Sequence, residues 1–172
     1  MANAKDNDVN YIALTVGLTE TTFHEVVAAA PRKIREVLFA RLNIKAKKKT
    51  LGVGSLNVHA KLEDRSRKLH ERLKEARTVE ENKLCEELLR SWLYTKRPLL
   101  KAALDFLNIK NDDGLVEEEP VFFQKLDEAK TRELIAHLTP NFPLEQIEVY
   151  LTFVKVPNIG TIVASLKEGA AA

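Results

Sequence analysis

The segment TVEENKLCEELLRSWL, residues 78–93, carries the strongest secondary-structure signal in the chain. It opens with the spacing of a capping box, in which the Thr78 hydroxyl accepts the N–H of Glu81 and the Glu81 carboxylate accepts the N–H of Thr78. Apolar side chains then recur at helical spacing: Leu84, Cys85, Leu88, Leu89, Trp92 and Leu93. We therefore predict a core helix with a wide buried face over this segment.

The sequence before this segment predicts further helices. The threonines at 19, 21 and 22 offer hydroxyls that can accept unpaired backbone N–H groups, and Thr22 with Glu25 has capping-box spacing. A short helix is predicted from here to about Ala30. Pro31 suits the first turn of the next helix, because a prolyl nitrogen carries no hydrogen that would go unpaired there. A longer helix is predicted over residues 55–76. Its apolar stripe is narrow and consists of Leu62, Leu69, Leu73 and Ala76.

The sequence after residue 93 continues the helical pattern. Pro98 opens an amphipathic helix, Pro120 begins a short one, and Asp127 is placed to cap the next. The sequence TPNFP at residues 139–143 breaks the pattern before two final helices. The segments between these breaks are predicted to be helical.

The predicted fold is all-α: an irregular orthogonal bundle of about eight helices with short loops and no substantial sheet. One helical domain is expected over residues 9–168, between a flexible N-terminus at residues 1–8 and a flexible C-terminus at residues 169–172. Residues 9–18 fit neither helical nor strand periodicity, so their conformation stays open.

The tetrapeptide LNIK occurs twice, at residues 42–45 and 107–110, each time at the end of an amphipathic segment. Duplication of a helical unit and coincidence both account for the repeat. Since no wider similarity surrounds the two copies, coincidence is the favoured interpretation.

Composition is that of an ordinary globular protein, with 45% hydrophobic and 30% charged residues. No stretch has the roughly 18 apolar residues that a membrane span needs, and the N-terminus lacks the apolar run of a secretory signal. We therefore expect a cytoplasmic protein that does not contact a membrane. Cys85 is the one cysteine of the sequence, which excludes an internal disulfide and the multi-cysteine zinc patterns.

Charge is distributed unevenly along the chain. Residues 1–110 contain 22 Lys and Arg and 14 Asp and Glu, a balance of +8, whereas residues 111–172 contain 5 and 11, a balance of −6. This layout favours either the steering of a charged partner or attraction between opposite surfaces, within one molecule or between copies.

The segment 31–49 is strongly basic, and Glu36 is its one acidic residue. A cluster of this kind neutralises phosphates and gives salt-sensitive nucleic-acid binding. The candidate contact residues are Arg41, Lys45, Lys47, Lys48 and Lys49. Phe39 is the one aromatic residue in the segment, so the stacking that single-stranded nucleic acid favours is nearly missing. A solvated basic loop is the favoured interpretation, and nucleic-acid binding is the alternative.

Side chains capable of catalysis or metal binding form no recognisable motif. The histidines complete neither the His-Glu-x-x-His zinc motif nor the Glu-x-x-His pair of di-iron bundles; they are His24, His59, His70 and His137. Cys85 lies on the apolar face of the predicted core helix, which favours an inert thiol. The acidic turn at residues 111–119 does not fit a calcium loop. We therefore predict no catalytic residue, no metal and no cofactor.

These observations favour a non-enzymatic helical interaction protein: a small subunit, adaptor or regulator that docks on a larger protein or forms a homo-oligomer. Tyr94 with Lys96 and Arg97 has the aromatic and cationic composition common at protein interfaces. The narrow apolar stripe adds Leu62 and Leu69 as candidate interface residues. Nucleic-acid binding, within a ribonucleoprotein or a DNA-processing complex, is the alternative function.

Overall fold

In the computed structural model, the described part of the chain consists of residues 9–45, 61–117 and 121–170. Contacts between Cα atoms divide it into two compact units. We call Asn10–Thr95 the N-terminal unit, and the described residues from Lys96 onward the C-terminal unit. The expectation of a single domain over residues 9–168 stays a prediction.

The described residues of the N-terminal unit form five α-helices: α1 (Tyr11–Val16), α2 (Glu20–Ala29), α3 (Arg32–Arg41), α4 (Leu62–Leu73) and α5 (Val79–Leu93). Helix α5 packs against α1, α2 and α3. Its predicted apolar face is confirmed, since five of the six residues are buried and Leu84 is half-buried. Each large apolar side chain buried there contributes about 1.5–3 kcal/mol before conformational entropy is subtracted, so α5 anchors this unit.

The described residues of the C-terminal unit form four α-helices and one 3₁₀ helix: α6 (Arg97–Phe106), the 3₁₀ helix (Val121–Lys125), α7 (Glu128–Leu138), α8 (Leu144–Phe153) and α9 (Ile159–Ala170). Helix α7 contacts α6, α8 and α9. The buried ring of Phe123 meets Tyr150 edge to face, with ring centroids 5.7 Å apart. Helix α9 continues into the predicted C-terminal tail, residues 169–172, as far as Ala170.

The all-α prediction is confirmed. The described residues contain nine α-helices and no strand, with one isolated bridge between Asp112 and Leu115. Residues 9–18, whose conformation the sequence left open, include α1. The side chain of Asn10 caps this helix by accepting the N–H of Ala13 at 2.9 Å.

Two predicted helix starts are confirmed in detail. The Thr78 hydroxyl accepts the N–H of Glu81 at 3.2 Å, and the Glu81 carboxylate accepts the N–H of Thr78 at 3.0 Å, which completes the capping box of α5. Asp127 caps α7 by accepting the N–H of Lys130 at 2.7 Å. Both caps pair N–H groups that have no partner within the helix.

Other predicted helix starts differ from the structure. Of the three threonines predicted to cap α2, Thr19 is confirmed as its N-cap, since the Thr19 hydroxyl accepts the N–H of Thr22 at 3.3 Å. The Thr22–Glu25 capping box is wrong, because α2 begins at Glu20 and both residues lie inside it. Pro31 precedes α3 as its N-cap and is not the first helical residue. The predicted helix over residues 55–76 begins outside the described residues, and α4 forms its described part.

The two LNIK sequences form the same helix stop. Asn43 and Asn108 both have a φ of 56°. In each copy the isoleucine N–H donates to the carbonyl oxygen five residues earlier. The Ile44 N–H donates to Phe39 at 2.8 Å, and the Ile109 N–H donates to Leu104 at 2.9 Å. This is a Schellman motif, in which one residue in the left-handed conformation lets the chain turn back and pair the last helix carbonyls. The left-handed conformation at this position explains the asparagine in both copies. Coincidence stays the favoured interpretation of the full tetrapeptide.

Candidate binding surface

Helix α3 is buried on one side and exposed on the other. Leu38 and Phe39 are buried where α3 packs against α5. The exposed residues, which we call the α3 face, are Arg32, Lys33, Val37, Ala40 and Arg41. Lys33, Val37 and Arg41 are four residues apart and form one row along the helix. Val37 keeps 41% of its surface exposed, so the row has an apolar centre between two cations.

Arg35, although basic, does not belong to the α3 face. Its guanidinium donates to the carbonyl oxygens of Val27 and Ala28, at 3.5 and 3.2 Å. These carbonyls lie in the last turn of α2, where no helical N–H follows to pair with them. Arg35 therefore closes the end of α2.

The one carboxylate on α3 is neutralised by a buried arginine of α4. Arg65 donates to both oxygens of Glu36 at 2.9 Å, and its guanidinium carbon lies 3.9 Å from the centroid of the Phe39 ring. These hydrogen bonds hold the pKa of Glu36 below its ordinary value. Arg65 is 9% exposed, and within the described residues its Nε has no hydrogen-bond partner. The pairing leaves the α3 face with a positive charge.

The structure places two of the five predicted nucleic-acid contacts near the end of α3. Arg41 is the last residue of the helix, and Lys45 follows the turn at Asn43; both are exposed. Lys47, Lys48 and Lys49 lie outside the described residues. Helical periodicity groups Val37 with the apolar residues Ile34, Leu38 and Leu42, but Val37 is 41% exposed, so its predicted place in the apolar pattern is wrong. The four-residue spacing from Lys33 to Arg41 was a usable signal for its exposure.

The predicted protein-interface residues differ in exposure. Tyr94 follows α5 and is 53% exposed. Leu62 is half-buried at the start of α4, and Leu69 is fully buried in the same helix. Lys96 and Arg97 begin the C-terminal unit and are half-exposed.

Arg97 also has a contact within the C-terminal unit. Its guanidinium donates to the carbonyl oxygen of Asp113 at 3.3 Å. Gly114 follows, at a φ of 82°, and an added Cβ there would lie 2.8 Å from the carbonyl oxygen of Arg97. Only glycine fits this close approach of the turn to the start of α6.

Helix α4 docks on α2 through polar side chains. Arg67 Nε donates to Glu20 Oε1 at 2.7 Å, and both side chains are exposed. The Ser66 hydroxyl donates to the carbonyl of Leu62 at 2.8 Å. His24 Nδ1 lies 3.3 Å from the same hydroxyl oxygen and therefore acts as its donor. The contacts of Arg67 and Ser66 join α4 to α2, whose residues lie 47 and 42 positions earlier in the sequence.

Two further histidines pack against aromatic rings. His70 Nε2 donates to the carbonyl oxygen of Val16 at 2.9 Å, and its ring stacks on Phe23 with centroids 4.5 Å apart. His137 stacks on Phe106 in the C-terminal unit at 4.8 Å. His59 lies outside the described residues. The described histidines thus have structural contacts.

Cys85 is also placed for packing. Burial raises the pKa of its thiol to about 12, despite an opposing contribution from the Thr15 hydroxyl. A thiol with such a pKa is almost entirely protonated at neutral pH and is a poor nucleophile. Within the described residues, no group of three or more His, Cys, Asp or Glu side chains has an arrangement that would hold a metal ion.

Fold and surface together define an all-α protein with a cationic helix face that has an apolar centre. The chain matches no protein-family model, no curated protein and no solved structure. None of the described helices has the length and apolarity to cross a membrane. Inference about function therefore starts from the residues themselves.

Proposed function

We propose that this protein is a non-enzymatic helical interaction protein, a small subunit, adaptor or regulator that docks on another protein or on a second copy of itself. The observation that carries the proposal is the α3 face. It combines an exposed valine with flanking cations, and interfaces between proteins have such an apolar centre within a polar rim. The cytoplasm is the proposed location.

The placement of the reactive side chains supports this proposal. Cys85 is buried with its thiol pKa raised, His24 and His70 join helices to each other, and several carboxylates pair with cations one turn away. Examples of such pairs are Lys101 with Asp105 and Arg132 with Glu128. Side chains engaged in this way stabilise helices and their packing.

Nucleic-acid binding through residues 31–49 is the second candidate function. The observation that favours it is the pairing of Glu36 with Arg65, because this removes the one negative charge of the segment. The remaining cations would neutralise phosphates, with an affinity that falls steeply as salt rises. Replacing Lys47, Lys48 and Lys49 with glutamate should then abolish most of the binding to a labelled oligonucleotide.

Size-exclusion chromatography with light scattering tests self-association, and quantitative co-purification of the tagged 172-residue chain from its source cells tests hetero-association. We expect either a concentration-dependent dimer or a protein band at fixed stoichiometry. A monomer at all concentrations, with no stoichiometric protein partner, would overturn the proposal. Nuclease-sensitive co-purification of nucleic acid instead of protein would favour the second candidate.

A further inference from the structure

We infer that the α3 face docks an acidic, partly apolar segment of a partner protein, in which an apolar side chain lies between two carboxylates. The inference rests on the proposed interaction function and adds the surface and the chemistry of the partner. The juxtaposition of Lys33, Val37 and Arg41 along one helix row carries it.

The spacing of this row defines the spacing of the partner. Lys33 and Arg41 are eight residues apart, about 12 Å along the helix axis, with Val37 midway. A partner helix with Glu, an apolar residue and Glu at four-residue intervals presents its side chains with the same spacing. Each carboxylate then meets one cation while the two apolar side chains cover each other.

The apolar centre favours a protein partner over nucleic acid. Val37 and the neighbouring Ala40 interrupt the cations and offer nothing to a phosphate. Base stacking needs exposed aromatic rings, and Phe39, the aromatic residue of α3, is 1% exposed beneath Arg65. In a protein complex the same valine loses its contact with water, which stabilises the bound state.

The pairing of Glu36 makes the face suitable for carboxylates. Glu36 lies on the same helix, and its side chain is 44% exposed. An unpaired carboxylate there would repel an acidic partner. Arg65 compensates this charge from the buried side while Arg32, Lys33 and Arg41 remain on the exposed side.

Fluorescence anisotropy of a labelled peptide, titrated with the 172-residue chain, tests the inference. The probe is an alanine-based helical peptide with Glu, Leu and Glu at successive four-residue intervals. A peptide of the same composition, with the leucine on the opposite helix face, is the control probe. We expect the first peptide to bind more tightly, and equal affinities would overturn the inference.

Substitutions in the protein test whether the peptide binds at the α3 face. Val37→Ser should weaken binding roughly fivefold, which corresponds to the loss of about 1 kcal/mol of apolar burial. Val79→Ser changes another exposed valine, 68% exposed at the start of α5, and should leave binding unchanged. Lys33→Glu with Arg41→Glu should weaken binding at least about tenfold. The matched control, Lys68→Glu with Lys83→Glu, reverses two exposed lysines elsewhere and should have little effect.

Two results distinguish this inference from the proposed function. If the protein dimerises or binds a stoichiometric partner and both α3 variants retain that binding, the docking surface is wrong and the interaction function stands. If a labelled single-stranded or duplex oligonucleotide binds more tightly than the peptide, and Val37→Ser has no effect on either, the partner class is wrong.

Discussion

Helices α2 and α3 of the N-terminal unit and helices α7 and α8 of the C-terminal unit follow the same local plan. The first helix of each pair is capped by a side-chain oxygen, from Thr19 or Asp127. The second helix has ten residues and a proline as its N-cap. It ends in a Schellman turn, with Asn43 at a φ of 56° or Lys155 at 62°. The two pairs lie in different units and share these signals without sharing sequence.

The two pairs differ in how other helices hold them. Salt bridges from α4 reach both α2 and α3, through Arg67 with Glu20 and through the buried Arg65 with Glu36. Lys167 of α9 forms an ion pair with Glu148 of α8 at 3.0 Å, with the lysine side chain 57% exposed and the glutamate side chain 27% exposed. Local signals therefore set where helices start and stop, whereas the polar partners depend on residues distant in sequence.

Removal of the Phe39 ring should have the largest effect on the free energy of unfolding. Phe39→Ala should lower the free energy of unfolding by about 4–5 kcal/mol, because it leaves a cavity and removes the ring beneath Arg65. The equivalent residue of α8 is Leu151, and Leu151→Ala should lower it by about 3 kcal/mol. Urea denaturation followed by circular dichroism measures both. Val37→Ala, on the exposed side of α3, serves as control, and a larger loss for Leu151→Ala would contradict the comparison.

Acid should destabilise the N-terminal unit before the C-terminal unit. Hydrogen bonds from Arg67 lower the pKa of Glu20, those from Arg65 lower that of Glu36, and backbone N–H groups lower that of Glu81. A lowered folded-state pKa contributes stability that is fully present above the unfolded value of 4.5 and is lost as the pH falls through the folded value.

Among the described carboxyls of the C-terminal unit, Asp105 has a lowered pKa, caused by Lys101 and Asn111. When the pH is lowered from 6 to about 3, nuclear magnetic resonance should therefore show that the native signals of α2–α5 are lost at a higher pH than those of α6–α9. Replacing the three glutamates with glutamine should remove most of this difference. Simultaneous loss in both units of the unmodified protein would count against the explanation.

The Glu36–Arg65 pair should contribute more to stability than the pair that holds α8. Glu36→Gln leaves the buried Arg65 without its counter-charge, and we expect a loss of about 1–2 kcal/mol, reduced from a fully buried pair because Glu36 is half-exposed. Glu148→Gln should lower the free energy of unfolding by only a few tenths of a kcal/mol, because Lys167 is exposed. Equal losses in urea denaturation would show that burial of Arg65 does not matter.

The smallest expected difference in stability is between variants of the two helix stops. Lys155→Gly should stabilise the protein by up to about 1 kcal/mol, because lysine has a steric penalty in the left-handed conformation that glycine lacks. Asn43→Gly should change stability less, since asparagine adopts this conformation more readily. Thermal unfolding by calorimetry compares the two variants. A greater gain in stability from Asn43→Gly than from Lys155→Gly would mean that Lys155 is not strained.

The sequence predicted features that depend on neighbouring residues. The capping box at Thr78, the cap at Asp127 and the buried face of α5 all follow from spacing within a few turns. The Glu36–Arg65 pair joins residues 29 apart, and no helical periodicity reports such a pairing. From the sequence, the α3 face was predicted only as part of a basic segment. Which side of α3 is exposed depends on the packing of its other side against α5, which local sequence does not report.

Helix α5 contains the one tryptophan and the one cysteine of the sequence. Trp92 Nε1 donates to Glu25 of α2 at 3.4 Å, so its emission depends on the contact between these helices. Cys85 is fully buried in the same helix, so a thiol reagent reaches it only after the unit has opened. The protein therefore contains two native reporters for one event. The rate of thiol labelling gives the frequency of opening, and fluorescence shows whether the helix contact is lost at the same time.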